Sequence, residues 1–112
     1  MVYTFGDVRI DCSAFELRRR NLVISVEPKV YDVMLHLIRH RDRVVPKDEL
    51  LGSVWSDAVV GESALTRCVS LARKILGDSA CIKSIYKRGY RFVGLVVERH
   101  SEALEATPAS VA

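Results

Sequence analysis

The sequence contains few of the residues that mark disulfide-rich, zinc-binding or membrane-spanning proteins. Its three cysteines, Cys12, Cys68 and Cys81, are odd in number and form no C-x-x-C pair, which argues against a disulfide framework and favours a reducing cytoplasm. No apolar run approaches the roughly 18 residues of a membrane span, and the N-terminus has no signal-peptide pattern. We therefore expect a cytoplasmic segment without membrane contact.

Groups for catalysis are also lacking, because no acid, base and nucleophile fall into a recognisable pattern. The sequence therefore predicts no enzyme activity and no cofactor. His36 and His40 lie one helical turn apart and could bind a metal ion, but no cysteine or carboxylate accompanies them in the sequence. We interpret them as surface or helix-end histidines, and we expect no metal site.

Carboxylates are scarce between residues 63 and 94, where seven lysines and arginines face Asp78 alone. This stretch therefore carries a net charge of +6, although the whole chain of 112 residues carries only +3. Residues 98–112 are slightly acidic and contain few bulky apolar side chains. The uneven charge predicts one globular domain with a basic module, followed by a polar tail.

The segment SALTRCVSLARKIL, at residues 63–76, has the pattern of an amphipathic helix. Four apolar residues recur at helical spacing and predict a buried stripe: Leu65, Val69, Ala72 and Leu76. The opposite face offers hydrogen-bond donors and cations without a carboxylate: Thr66, Arg67, Ser70, Arg73 and Lys74. Solvated helix faces usually mix acidic and basic residues. This face therefore indicates a polyanionic partner, and DNA is the one we expect.

The rest of the chain predicts short strands, two more helices and a terminal hairpin. Residues 2–26 alternate as strands, with turns at Gly6-Asp7 and around Asn21 that pair 15–18 with 22–25. Helices are predicted over 28–40 and 46–55, each opened by a proline. The hairpin turns at Lys87–Gly89. The Arg18–Arg20 cluster is interpreted as a solvated hairpin tip, with phosphate contact as the alternative.

These segments, in this order and spacing, resemble the OmpR/PhoB-type winged-helix DNA-binding domain of bacterial transcription regulators. The resemblance covers residues 5–94 and rests on four motifs: VEPKVYDVMLHLIRH, RVVPKDELLGSVW, SALTRCVSLARKILGD and IKSIYKRGYRFVG. The KRGYRF motif is similar to that of one-component regulators of the CadC kind, and this resemblance leaves open a membrane anchor in the full-length protein. The resemblance implies an α+β fold with an N-terminal antiparallel β-sheet, three helices and a C-terminal β-hairpin wing.

The resemblance also implies where DNA binds. Helix 63–76 would enter the major groove and the wing, residues 84–91, would contact the minor groove. Position by position it implies these DNA-binding residues: Trp55, Thr66, Arg67, Ser70, Leu71, Arg73, Lys74, Ser84, Lys87 and Arg88. Leu71 stands where the family often has arginine and could touch a thymine methyl group. Lys87 stands where the family often has glycine.

We predict a winged-helix domain over residues 1–97 and a flexible tail or linker over 98–112. The expected partners are double-stranded DNA, a second copy of the chain on an adjacent half-site, and RNA polymerase as a further candidate. A winged-helix protein–protein interaction module without DNA binding is the alternative. That alternative predicts an apolar recognition surface, for which Leu71 is the only indication in the sequence.

Overall fold

The structure is a computed structural model, and it describes residues 1–56, 60–77 and 80–99. Its elements, in chain order, are β1 (Val2–Phe5), β2 (Val8–Asp11), β3 (Glu16–Arg19), β4 (Leu22–Ile24), α1 (Pro28–Arg39), β5 (Val45–Pro46), α2 (Lys47–Val54), α3 (Glu62–Leu76), β6 (Ile82–Ile85), β7 (Gly89–Phe92) and β8 (Val97–Arg99). They form two compact units. The sheet unit comprises Met1–Ser25 and the segment from Leu95, and the helical unit comprises Val26–Gly94.

The sheet unit is a five-stranded antiparallel sheet with the strand order β4-β3-β2-β1-β8. The turn between β3 and β4 consists of Arg20 and Asn21, whose φ angles are 53° and 68°. Two successive residues with positive φ form the tight turn that matches the twist of a hairpin. Leu17 pairs with Ile24, which confirms a hairpin here, but β3 begins and ends one residue later than predicted and β4 ends one residue earlier.

Strand β8 was not predicted. Val97 to Arg99 pair with β1, which places Val2 opposite Arg99. The predicted domain boundary after residue 97 therefore falls inside a strand, and Glu98 and Arg99 belong to the sheet rather than to a tail. The remainder of the predicted tail, from residue 100, lies outside the described residues.

The first two helices of the helical unit agree with the predicted ones to within one residue at each end. Helix α1 begins at Pro28, which suits the first helical position. Its buried apolar stripe consists of Val30, Val33, Met34, Leu37 and Ile38. Neither Glu27 nor Pro46, the residues before α1 and α2, makes a side-chain capping hydrogen bond. Both helices are therefore stabilised mainly by packing.

Helix α3 packs against both α1 and α2. All four residues of its predicted apolar stripe are buried, and Cys68 is buried beside them. The helix ends at Gly77, whose φ of 74° lets its N–H reach the carbonyls of Arg73 and Lys74. Asp78, the second residue of the predicted helix-end signal, lies outside the described residues. The buried stripe directs the opposite face of α3 away from the core.

A three-stranded sheet, β5-β7-β6, completes the helical unit. Strands β6 and β7 and the turn Tyr86–Arg88 between them form the predicted hairpin, called the wing below. Strand β5 was not predicted; its Pro46 lies opposite Gly89. At Gly89 φ is 148°, and a Cβ atom there would lie 2.0 Å from the carbonyl oxygen of Val45. Only glycine permits this approach of the wing to β5.

The three cysteines are thiols that differ in exposure. Cys12 in the sheet unit is partly exposed, whereas Cys68 and Cys81 in the helical unit are buried. Burial raises the pKa of the Cys68 thiol. Within the part of the chain that the structure describes, no helix is long and apolar enough to cross a membrane.

Candidate nucleic-acid interface

The solvent-facing side of α3 is polar. Four of the side chains that the sequence assigns to this face are exposed: Thr66, Arg67, Ser70 and Lys74. Leu71 and Arg73 are only partly exposed, so Leu71 does not create an apolar recognition surface of the kind that the protein–protein alternative predicts. The Thr66 hydroxyl donates to the carbonyl of Glu62 at 3.0 Å, which leaves its oxygen free to accept a further hydrogen bond.

Arg67 forms a bidentate ion pair with Glu27, a residue 40 positions away in the chain. Its two terminal nitrogens lie 3.1 Å and 2.8 Å from the two carboxylate oxygens. The hydrogen bond from Arg67 lowers the pKa of the Glu27 carboxyl, and the same bond raises the pKa of Arg67. The side chains are 59% and 55% exposed, so water and other anions can reach the pair. Arg67 therefore has an exchangeable partner.

Arg73 has a different kind of partner, because it joins α3 to the wing. Its Nε and one terminal nitrogen donate to the carbonyl of Ile82 at 3.1 Å and 2.7 Å. The same terminal nitrogen lies 3.0 Å from the Ser84 hydroxyl. The structure thus brings together two of the predicted DNA-binding residues. It shows in addition that their contact holds β6 against α3, which no sequence pattern indicated.

The tip of the wing carries exposed cations. Lys87 and Arg88 lie in the turn, and the backbone N–H of Arg88 donates to the carbonyl of Ile85 at 2.9 Å. Lys87 has a φ of 59°, and its Nζ lies 5.4 Å from the centre of the Tyr86 ring. Among the residues that the structure describes, no carboxylate forms an ion pair with four exposed cations of α3 and the wing: Lys74, Lys83, Lys87 and Arg88. These charges remain available to a ligand.

A shallow groove connects the wing tip with the first residues of α2 and α3. Its lining residues are Pro46, Lys47, Asp48, Glu62, Lys87 and Arg88. Lys47 Nζ lies 3.2 Å from a carboxylate oxygen of Glu62, so part of the positive charge here is already neutralised. The family resemblance implies backbone contact at the start of helix 46–55, but Lys47 itself carries no distinctive signal in the sequence because it is an isolated lysine after a proline.

Trp55 ends α2 instead of lying within it. Its backbone N–H donates to the carbonyl of Leu51 at 3.1 Å, and its side chain is partly exposed. Lys29 of α1 donates to the carbonyl of Val54 at 2.7 Å, at the same end of the helix. A cation at this position complements the negative end of the helix dipole. Lys29 therefore fixes the end of α2 at which Trp55 is held.

The structure corrects the sequence analysis at the histidine pair. His36 and His40 have their ring centres 4.5 Å apart, and Glu49 of α2 lies beside them. Glu49 accepts two hydrogen bonds from Arg43, at 2.9 Å and 2.8 Å, and lies 2.7 Å from His36 Nε2. These contacts, with Arg43 first, lower the pKa of the Glu49 carboxyl to about 2. A carboxylate does accompany the pair, although the next helix supplies it.

Comparison with known proteins identifies both the fold and a family. Residues 21–92 match the family model described as "Transcriptional regulatory protein, C terminal". The transcriptional regulator HilA of Salmonella typhi is 36% identical over 93 residues, which cover 80% of this chain and 17% of HilA. The transcriptional activator CadC of Escherichia coli is 27% identical over 101 residues, which cover 86% of this chain and 20% of CadC.

A solved structure agrees with these matches. The DNA-binding domain of Escherichia coli CadC superposes with a TM-score of 0.77 and 26% identity, covering 88% of this chain and 96% of that domain. The chain thus spans about a fifth or less of the two curated relatives, but nearly the whole of a solved DNA-binding domain. The α+β winged-helix fold that the sequence predicts is confirmed.

Proposed function

Because this chain belongs to the OmpR/PhoB-type family of DNA-binding domains of transcriptional regulators, we propose that α3 docks in the major groove of double-stranded DNA and that the wing contacts the neighbouring minor groove. One observation supports this docking above the others. Arg73 ties the polar face of α3 to β6, so that the helix and the wing present their exposed cations as parts of one structure. Two linked basic elements suit two adjacent grooves.

Most of the affinity would come from cations that make no ion pair within the described residues. Lys74 on α3 and Lys87 and Arg88 on the wing can approach phosphates without first breaking an ion pair to a described residue. Phosphate contacts release counterions and make affinity fall with salt. Arg73 and Ser84 would chiefly position the wing. They would contact phosphate only through hydrogen-bonding groups that are not used in their mutual hydrogen bond.

Sequence discrimination would come from the exposed face of α3. Arg67 can make a bidentate pair with guanine once it leaves Glu27, while Thr66 and Ser70 can bond to base edges. Leu71 would supply an apolar contact, such as one to a thymine methyl group. Trp55, at the end of α2, would lie against the sugar–phosphate backbone and fix the register of α3.

The function of the whole protein would be to regulate transcription in the bacterial cytoplasm, since HilA is a transcriptional regulator and CadC a transcriptional activator. A single small module reads few base pairs, so we propose that two copies bind adjacent half-sites. RNA polymerase is the second protein partner that we propose, since a DNA-bound regulator must act on transcription. Neither partner is needed for DNA binding by the module itself.

The test is a titration of the chain with random-sequence duplex DNA at several salt concentrations. With three phosphate contacts, we expect a slope of log affinity against log salt of about −3. A slope near zero would refute phosphate contact and favour the protein–protein alternative. Selection from a library of random duplexes then tests sequence reading. Recovery of an enriched motif is expected, and unselective recovery would contradict the proposed role of α3.

A further inference from the structure

Three potential metal ligands converge on the helical unit, at the contact between α1 and α2. His36 and His40 come from the C-terminal end of α1, and Glu49 comes from the first turn of α2. One nitrogen of each imidazole and one carboxylate oxygen all lie within 4.8 Å of one another. We infer that these three side chains form a binding site for a divalent transition-metal ion, with Zn²⁺ as the first candidate.

The chemistry of the donors fits such an ion. Two histidines at positions i and i+4 present their rings on the same face of a helix, where both can bind one ion. Two imidazoles and a carboxylate, with water in the fourth position, are a common ligand set for Zn²⁺. Imidazole nitrogen also binds Co²⁺, Ni²⁺ and Cu²⁺, whereas Ca²⁺ and Mg²⁺ prefer an all-oxygen shell.

The geometry requires only small side-chain adjustments. Ligand atoms around a tetrahedral Zn²⁺ stand about 3.3 Å apart, given metal–ligand distances of about 2.0 to 2.1 Å. His36 Nε2 and Glu49 Oε2 are closer than this, at 2.7 Å, so they must separate slightly. The His36 and His40 rings are tilted by 48° with centres 4.5 Å apart, and one nitrogen of each already lies within 4.8 Å of the other ligand atoms. Reaching tetrahedral spacing therefore requires the separations to shrink by no more than about 1.5 Å.

The surroundings allow an ion to enter and to be held. All three side chains are partly exposed, with 18% of the His36 side chain and 30% of the Glu49 side chain open to solvent. Arg43 binds both oxygens of Glu49 and thereby orients the carboxylate, as residues behind metal ligands commonly do. Arg43 also brings positive charge, so the site should bind moderately and exchange its ion with solvent.

A bound ion would join α1 to α2 directly. Helix α2 packs against α3, and Trp55 caps its C-terminal end. An ion that binds the folded chain and not the unfolded one raises the melting temperature by mass action. The inference does not depend on DNA binding, so its failure and the failure of the proposed function can be told apart.

The experiment titrates the whole chain, freed of metal with a chelator and kept reduced, with Zn²⁺ or Co²⁺ alone. We expect one ion per chain, a melting temperature raised by about 5 °C at saturating Zn²⁺, and a visible Co²⁺ spectrum without a thiolate charge-transfer band. His40→Ala and Glu49→Gln should each weaken binding at least tenfold. His100→Ala removes the remaining histidine of the chain and should leave binding unchanged.

Circular dichroism must show that each variant is folded, and His40→Gln replaces His40→Ala if the latter is not. Binding that survives both the His40 and the Glu49 substitutions would overturn the assignment. A thiolate band in the Co²⁺ spectrum, or loss of binding in His100→Ala alone, would transfer the ion to a cysteine or to the C-terminal segment. Absence of any saturable binding would also refute the site.

Discussion

The arginines of α3 and the cations of the wing tip have the same charge but different surroundings. Arg67 and Arg73 are both engaged by the protein, one by a carboxylate and the other by a carbonyl and a hydroxyl. Lys87 and Arg88 are exposed, and no carboxylate among the described residues forms an ion pair with either. A count of charges treats all four alike. Their contacts predict that the wing supplies affinity while the two arginines serve recognition and architecture.

The two arginines of α3 also differ from each other in the partners that hold them. Arg67 is paired with an exposed carboxylate, and exposed ion pairs contribute little net free energy. Breaking the pair with Glu27 to contact a guanine or a phosphate therefore costs little free energy. Arg73 donates to a partly buried backbone carbonyl, and loss of a charged donor there leaves that carbonyl unsatisfied. We expect Arg67 to move on binding DNA and Arg73 to stay.

The largest change, in the free energy of unfolding, should follow from a substitution that separates the wing from β5. Gly89→Ala places a methyl group against the Val45 carbonyl at a φ of 148°, so we expect the free energy of unfolding to fall by about 3 kcal/mol or more. Gly52→Ala is the matched control, because Gly52 lies in α2 with open space around it. Alanine there should stabilise by up to about 1 kcal/mol. Equal urea unfolding curves for the two variants would contradict the description of Gly89.

Next in size is removal of the unpaired charges of the wing. The double variant Lys87→Ala/Arg88→Ala should lower DNA affinity by about tenfold to a hundredfold and reduce the salt slope by about two. Fluorescence anisotropy with labelled duplexes measures both quantities. Thermal unfolding should change little, because neither side chain packs in the core.

The control for this double variant lies in the sheet unit, where Arg18 and Arg20 are paired with Glu16 and Asp7. Arg18→Ala/Arg20→Ala removes the same formal charge, but from cations that each already have a carboxylate partner. We expect its DNA affinity to stay within about threefold of the parent. An equal loss in the two double variants would show that net charge, and not position, sets affinity.

Substitutions of Arg67 and Lys74 should distinguish sequence recognition from general attraction to phosphate on the same helix. Arg67→Ala should reduce the ratio of specific to random-sequence affinity by about tenfold, near the lower end of the 1–3 kcal/mol of a guanine contact, because Arg67 must first leave Glu27. Lys74→Ala should weaken all sequences alike and lower the salt slope by about one. Competition binding with selected and random duplexes measures both. The same specificity ratio in the two variants would reject this division.

The smallest effect should come from Glu27. Glu27→Gln removes the carboxylate that holds Arg67, so affinity for DNA should rise about threefold. This gain should disappear when Arg67 is already alanine, which a double-mutant cycle can test. Glu62→Gln adds the same unit of charge but releases Lys47 instead of Arg67, so it controls for added charge and for the release of a cation other than Arg67. A gain that persists without Arg67 would show that Glu27 does not act through it.

Local sequence patterns predicted the parts of the fold that depend on nearby residues. The prolines and the 3.6-residue periodicity located α1 and α2, and the apolar stripe of α3 was fully buried as expected. Strands β5 and β8 were not predicted because they are only two and three residues long and pair with distant strands. Nothing in the sequence around Val45 or Val97 indicates a partner so far along the chain.

The side-chain contacts of the candidate interface were also difficult to predict, because they join residues that are far apart in the sequence. The polar face of α3 was predictable from spacing, and so was the wing turn. The partners of those side chains were not, because Glu27 and Arg67 are 40 residues apart and Ser84 is 11 residues from Arg73. Glu49 reaches His36 from the next helix for the same reason. The sequence indicates which groups face solvent, and the fold determines which of them already have a hydrogen-bond or ion-pair partner within the protein.

Because the three thiols differ in exposure, their rates of chemical modification can measure local opening of the protein. Cys12 is accessible in the sheet unit, so a thiol reagent should modify it in the native state. Cys68 and Cys81 are buried in the helical unit, and burial keeps the Cys68 thiol protonated through its raised pKa. Their modification must wait for a fluctuation that uncovers the core. Their labelling rates, with and without DNA, would therefore report how often the core beneath α3 opens.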